Sequence, residues 1–152
     1  MNTSYSDIIE LVLSISKSYE ADLLFDDAES NGKSGTDTLI QLFKPYFKFA
    51  SGELQVAGSN INTSRNDSEN MFTSLLTDAE QLIFAKFVLI GYLEKETYDI
   101  LQMNLHLQDG DFKTFAEKNN LEAKQNVLNL LKEEVGWNLT RLGYTSQSNL
   151  WG

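Results

Sequence analysis

The side chains best suited to acid–base chemistry or metal binding are few and scattered. His106 is the one histidine, and cysteine is absent. A histidine general base needs an orienting partner. Asp109 is near it in sequence, but no serine nucleophile or second acid stands in a context that marks it. A multi-histidine or thiolate metal site is excluded by composition alone. Asp26-Asp27, Glu133-Glu134 and Asp109-Gly110-Asp111 bring carboxylates together, yet none follows the alternation of a calcium loop with its closing glutamate. Asn31-Gly32-Lys33-Ser34 has the closing residues of a phosphate-binding loop, but Asp27 occupies the position where that loop needs its first glycine. All of these read as solvated turns and helix faces. No catalytic residue, cofactor or metal ligand is expected, and the chain reads as a non-enzyme.

Composition narrows the classes further. The chain has 152 residues, 41% apolar and 22% charged, with a net charge of -10. That size supports one domain with its own core, here read as residues 1–145 with a docking tail at 146–152. The acidic balance counts against binding nucleic acid through the general surface, which needs Lys and Arg to replace phosphate counterions. Acidity is densest in residues 1–40, with eight acids and two bases. Asp7 and Glu10 stand where a targeting peptide would carry Lys or Arg. Residues 82–93, the most apolar run, are interrupted by Lys86 and too short to span a bilayer. No membrane association is expected.

Hydrophobic spacing predicts an all-α, four-helix bundle-like domain. Ile8, Leu11, Val12, Ile15, Tyr19 and Leu23 form one stripe of a first helix over about 5–25, capped by Ser4 or Ser6. Ile9, Leu13 and Leu24 widen that stripe and are candidates for contact with a neighbouring subunit. A second helix begins near Thr36 or Asp37, with Pro45 expected to kink or break it near 43–44 and Gly52 to end it. Residues 51–70 read as a polar loop; a short β-hairpin turning through Ala57-Gly58-Ser59-Asn60 is the alternative. Thr77-Asp78-Ala79-Glu80 is a capping box that opens a long central helix to about His106, with Gly91 permitting a close helix crossing. Asp109-Gly110-Asp111 stops that helix, and Asp111 to Phe115 form a helical turn. A last helix, capped by Asn119 or Asn120, ends at Gly143. An extended tail would then carry Tyr144, Leu150 and Trp151, further candidates for an interface.

The second half resembles a known group. Phe72-Thr73-Ser74-Leu75-Leu76-Thr77-Asp78-Ala79-Glu80-Gln81-Leu82-Ile83 precedes an apolar helix that ends Gly91-Tyr92-Leu93. Asp111-Phe112-Lys113, a final helix to Leu142 and an aromatic close at Tyr144 and Trp151 follow. This order resembles the small helical neck proteins of tailed bacteriophages, the head–tail connector or adaptor proteins of the virion. The resemblance implies a homo-oligomeric ring beneath the portal protein that bridges it to the next neck or tail component. DNA would be only non-specific cargo in the channel, and assembly would occur in the bacterial cytoplasm. The alternative is a small phage-encoded helical DNA-binding regulator of transcription. It is disfavoured because Lys124, Lys132 and Arg141 are diluted by Glu122, Glu133 and Glu134 on the last helix.

Overall fold

The computed structural model describes residues 2–18 and 35–151, with side chains described over 2–17 and 39–141. Tyr19, Leu23, Leu24, Asp26-Asp27 and the Asn31–Ser34 turn lie outside the described residues, as do the side chains of Tyr144, Leu150 and Trp151. Five helices and one small hairpin are found among the described residues. They are α1 (Tyr5–Ser18), α2 (Gly35–Val56), β1 (Arg65–Asn66), β2 (Met71–Phe72), α3 (Asp78–Met103), α4 (Asp109–Lys118) and α5 (Leu121–Trp151). The domain is an all-α bundle built around α3.

The start of α3 follows from local chemistry. Thr77 Oγ1 accepts the Glu80 N–H at 3.2 Å, and Glu80 Oε1 accepts the Thr77 N–H at 2.9 Å, so two otherwise orphaned donors are met. A similar reciprocal pair opens α1, where Ser4 Oγ accepts the Asp7 N–H and the Asp7 carboxylate accepts the Ser4 N–H. Behind its cap, α3 is buried on every side from residue 83 to 93, because α1, α2 and α5 all pack on it. Its rings form the centre of the core. Phe84 meets Phe47 edge-on at 5.2 Å and Phe72 at 5.1 Å, and Tyr92 lies 5.2 Å from Phe43. Burying each such side chain contributes roughly 1.5–3 kcal/mol. Gly91 is the close-approach point: the Phe49 ring lies where a β-carbon would be, with Cδ1 only 2.7 Å from that position.

Several boundaries differ from the spacing-based expectation. α2 runs unbroken through Pro45 and Gly52. Pro45 and Gln41, whose carbonyl loses its partner, both lie on the exposed side, where water can satisfy that carbonyl. Gly58 ends α2 instead, at φ 75°, with Ser59 N–H bonded to the Leu54 carbonyl and Gly58 N–H to that of Gln55. This closure is a Schellman motif, so Leu54 and Val56 are helical rather than hairpin residues. The hairpin lies later, with Arg65 opposite Phe72 and Asn66 opposite Met71. α3 ends at Met103 in tight three-residue turns, and Asp109 and Asp111 open α4 rather than close α3. Carboxylates are favoured at that positive helix end. α4 has ten residues instead of one turn. The last helix passes through Gly143 to Trp151. One glycine costs a helix only about 1 kcal/mol relative to Ala.

Candidate interaction surface

Two polar assemblies and two apolar strips are the features that rise above ordinary surface. The first assembly ties the N-terminus to the hairpin. Residue 4 bridges to Met71, the Phe72 N–H donates to the Thr3 carbonyl at 2.8 Å, and Thr3 Oγ1 accepts the Leu76 N–H at 2.8 Å. The fully buried Tyr5 donates its phenol proton to Asp67, while Lys44 Nζ donates to the Asp67 carbonyl at 2.9 Å and to Asn70 Oδ1 at 3.0 Å. Arg65 donates to Ser51 Oγ and to the Thr63 carbonyl. Burial first, then the Asp67 carboxylate, push the Tyr5 pKa well above its ordinary value. A phenol held neutral in this way serves as a hydrogen-bond donor, not as a base. The assembly is a clasp that fixes residues 63–76 against α1 and α2.

The second assembly lies along α3 and α5. Lys86 Nζ is 3.2 Å from Glu134, Lys132 Nζ is 3.0 Å from Glu94 and Lys124 Nζ is 3.4 Å from Glu96. The partner numbers run in opposite directions, so the two helices are antiparallel. Lys86 is the charge that interrupts the apolar run. It is mostly buried, and Glu134 supplies the partner such a charge requires. A cleft of about 450 Å³ opens there, lined by Lys86, Glu134, Trp137, Asn138 and Arg141.

Besides Leu42 and Val56 on α2 and Leu75 before α3, exposed large apolar side chains among the described residues recur at helical spacing at the end of α3 and on α5. Tyr98, Leu101 and Leu105 recur at i, i+3 and i+7 near the end of α3, with Leu105 73% exposed. Leu130 and Trp137 stand seven residues apart on α5, with Trp137 68% exposed. The same seven-residue interval reaches Tyr144 and Trp151 in the sequence of that helix. Exposed apolar strips of this kind mark contact sites more often than scattered single residues do. Leu130 and Trp137 both precede Gly143, and only the continuation of their interval to Tyr144 and Trp151 lay past the expected helix end.

The positions first singled out fare differently. Ile9 is only 1% exposed and belongs to the core, since α1 lies against both α2 and α3. Leu13 is half-buried and packs on that core. His106 is exposed in the turn after α3. Glu134 is engaged by Lys86, and Asp109 and Asp111 face outward in the first turn of α4. No group of three or more His, Asp or Glu residues among the described residues is arranged to hold a metal ion. No helix among them is long and apolar enough to cross a membrane. No family model, curated protein or solved structure matches the chain.

Proposed function

We propose that this chain is a non-enzymatic structural subunit of a tailed-phage virion, a head–tail connector or adaptor. Copies of it would form a ring under the portal protein and bridge it to the next neck or tail component, leaving a passage for DNA. The observation that carries this reading is the pair of exposed apolar strips, Tyr98–Leu101–Leu105 at the end of α3 and in the turn after it, and Leu130–Trp137 on α5. Contacts within obligate assemblies are large and apolar, and they need such a surplus. The resemblance of residues 70–152 to phage neck proteins supplies the kind of assembly. An acidic surface suits a conduit past which a polyanion must slide without sticking.

The rival reading, a transcription regulator with α5 as recognition helix, is weakened by ion pairing. Lys124 and Lys132 meet Glu96 and Glu94 instead of standing ready for phosphates. Electron microscopy of the particle assembled in cells that encode this chain tests the proposal. Density for a ring of copies below the portal is expected, and purified particles that lack the chain would overturn it. Deleting residues 146–152 should impair particle completion more than it lowers the melting temperature of the isolated chain. The reverse order of effects would remove the tail from the interface.

A further inference from the structure

α5 leaves one of its faces uncovered at Trp137 and Arg141, four residues apart and both exposed. Among the described residues, the cleft beside them is lined by the cations Lys86 and Arg141 and the carboxylate Glu134. Elsewhere on the molecule, α1 and the first turn of α3 enclose an open groove of about 570 Å³. Asp7, Glu10 and Asp78 line it with Leu11, Ser14 and Gln81, giving three carboxylates and no cation among the described residues. Asp7 already accepts the Ser4 N–H, whereas Glu10 stands exposed on the groove wall.

We infer that Trp137 and Arg141 of one copy seat in the acidic groove between α1 and α3 of a second copy. The indole covers Leu11, and the guanidinium meets Glu10 and Asp78. Charge selects the occupant. Copies that each carry -10 repel in general, so a stable contact must bring unlike patches together. Matching either patch with itself would place like charges face to face. Trp and Arg are also the residues that most often dominate the energy of an interface, and a guanidinium can grip a carboxylate with two parallel hydrogen bonds. Joining two different patches makes a head-to-tail contact, which closes into a ring or continues as a filament. Lys86 lies within about two turns of Asp78 and Gln81 along α3, so both patches belong to the same end of that helix. That placement suits copies standing side by side. The inference deepens the ring reading and rests on it only in that copies of the chain meet one another; it requires no portal.

The test uses the full chain in sedimentation velocity from about 1 to 100 µM, a range that brackets micromolar association. Trp137→Ala, Arg141→Glu and Glu10→Arg are measured separately, each shown to be folded by circular dichroism melting. The wild type should assemble, with each variant about tenfold or more weaker. An equimolar mixture of Arg141→Glu and Glu10→Arg should regain assembly, because every contact between unlike copies then joins either two native patches or two reversed ones. A wild type that stays monomeric throughout, an oligomer indifferent to all three changes, or a mixture no better than its parts would overturn the inference. The ring reading fails separately, if particles lack the chain or hold a single copy. An oligomer that ignores these substitutions removes this contact alone.

Discussion

The two halves of α3 share one helix and have opposite surroundings. Every residue from 83 to 93 is buried, Lys86 included, whereas from 94 to 103 only Thr97 and Ile100 are. Neighbours make the difference. The aromatic contacts from α2 reach α3 at Phe84 and Tyr92, and α1 packs beside them. The second half meets α5 through charged pairs at Glu94 and Glu96, and it leaves Tyr98 and Leu101 in solvent. Apolar side chains in the first half therefore hold the fold. In the second half Tyr98 and Leu101 are largely in solvent, so their removal should be felt elsewhere.

The largest effect belongs to the first half. Phe84 is fully buried against two other rings, so Phe84→Ala removes both contacts and leaves a cavity. A loss of about 3–5 kcal/mol in urea unfolding is expected. A loss under about 1 kcal/mol would mean that the ring cluster is not the keystone of the core and that the contrast between the halves is false.

A smaller effect is expected at the clasp that closes the same end. Tyr5→Phe removes the hydrogen bond to Asp67 and should cost about 1–2 kcal/mol at neutral pH. Its pH dependence has a definite sign. The folded pKa is raised above the ordinary value of about 10, so the folded state keeps a proton that the unfolded state releases. The tyrosine's contribution is fully present below about pH 10 and is lost as pH rises towards the raised value. Wild type and Tyr5→Phe should thus differ by a constant amount from pH 7 to 9 and converge above about pH 10. Parallel unfolding curves through pH 11 would show that the phenol titrates normally.

Gly91 lies next in size. A β-carbon there meets the Phe49 ring at 2.7 Å, and overpacking of this kind costs about 1–3 kcal/mol. Alanine's better helix propensity returns about 1 kcal/mol, so Gly91→Ala should lose about 1 kcal/mol net. Combined with Phe49→Leu, the same change should cost measurably less than it does alone. Strict additivity in a double-mutant cycle would deny that the ring and the glycine touch.

What could be read beforehand was what is decided locally. The Thr77–Glu80 box needs only four consecutive residues, and the burial of residues 83–93 follows from their density of apolar side chains. Gly91 was legible because glycine in such a run is costly without a neighbour to admit. The clasp was not legible: Arg65, Asp67 and Asn70 look like loop residues until Ser51, Tyr5 and Lys44, distant in sequence, supply their partners. Ile9 misled for a related reason, since a wide apolar stripe looks the same whether its second side faces a neighbour or another helix of the same chain. Leu130 and Trp137 lie inside the expected last helix, but stopping it at Gly143 cut off the continuation of their seven-residue interval to Tyr144 and Trp151.

The smallest expected effect on stability is the sharpest test of the contrast. Tyr98→Ser and Leu105→Ser remove side chains that lie mostly in water, so little burial is lost. Each should change the unfolding free energy by no more than about 0.5 kcal/mol. Serine is a poorer helix former than leucine, but Leu105 lies beyond the end of α3, where propensity has little influence. If the strip serves a partner, the doubly substituted chain should melt like the wild type and yet fail to enter particles, as measured by its abundance in purified virions relative to the capsid protein. A chain that melts more than a few degrees lower would place Tyr98 and Leu105 in the fold after all. One that melts normally and enters particles at wild-type level would show that this strip faces no neighbour.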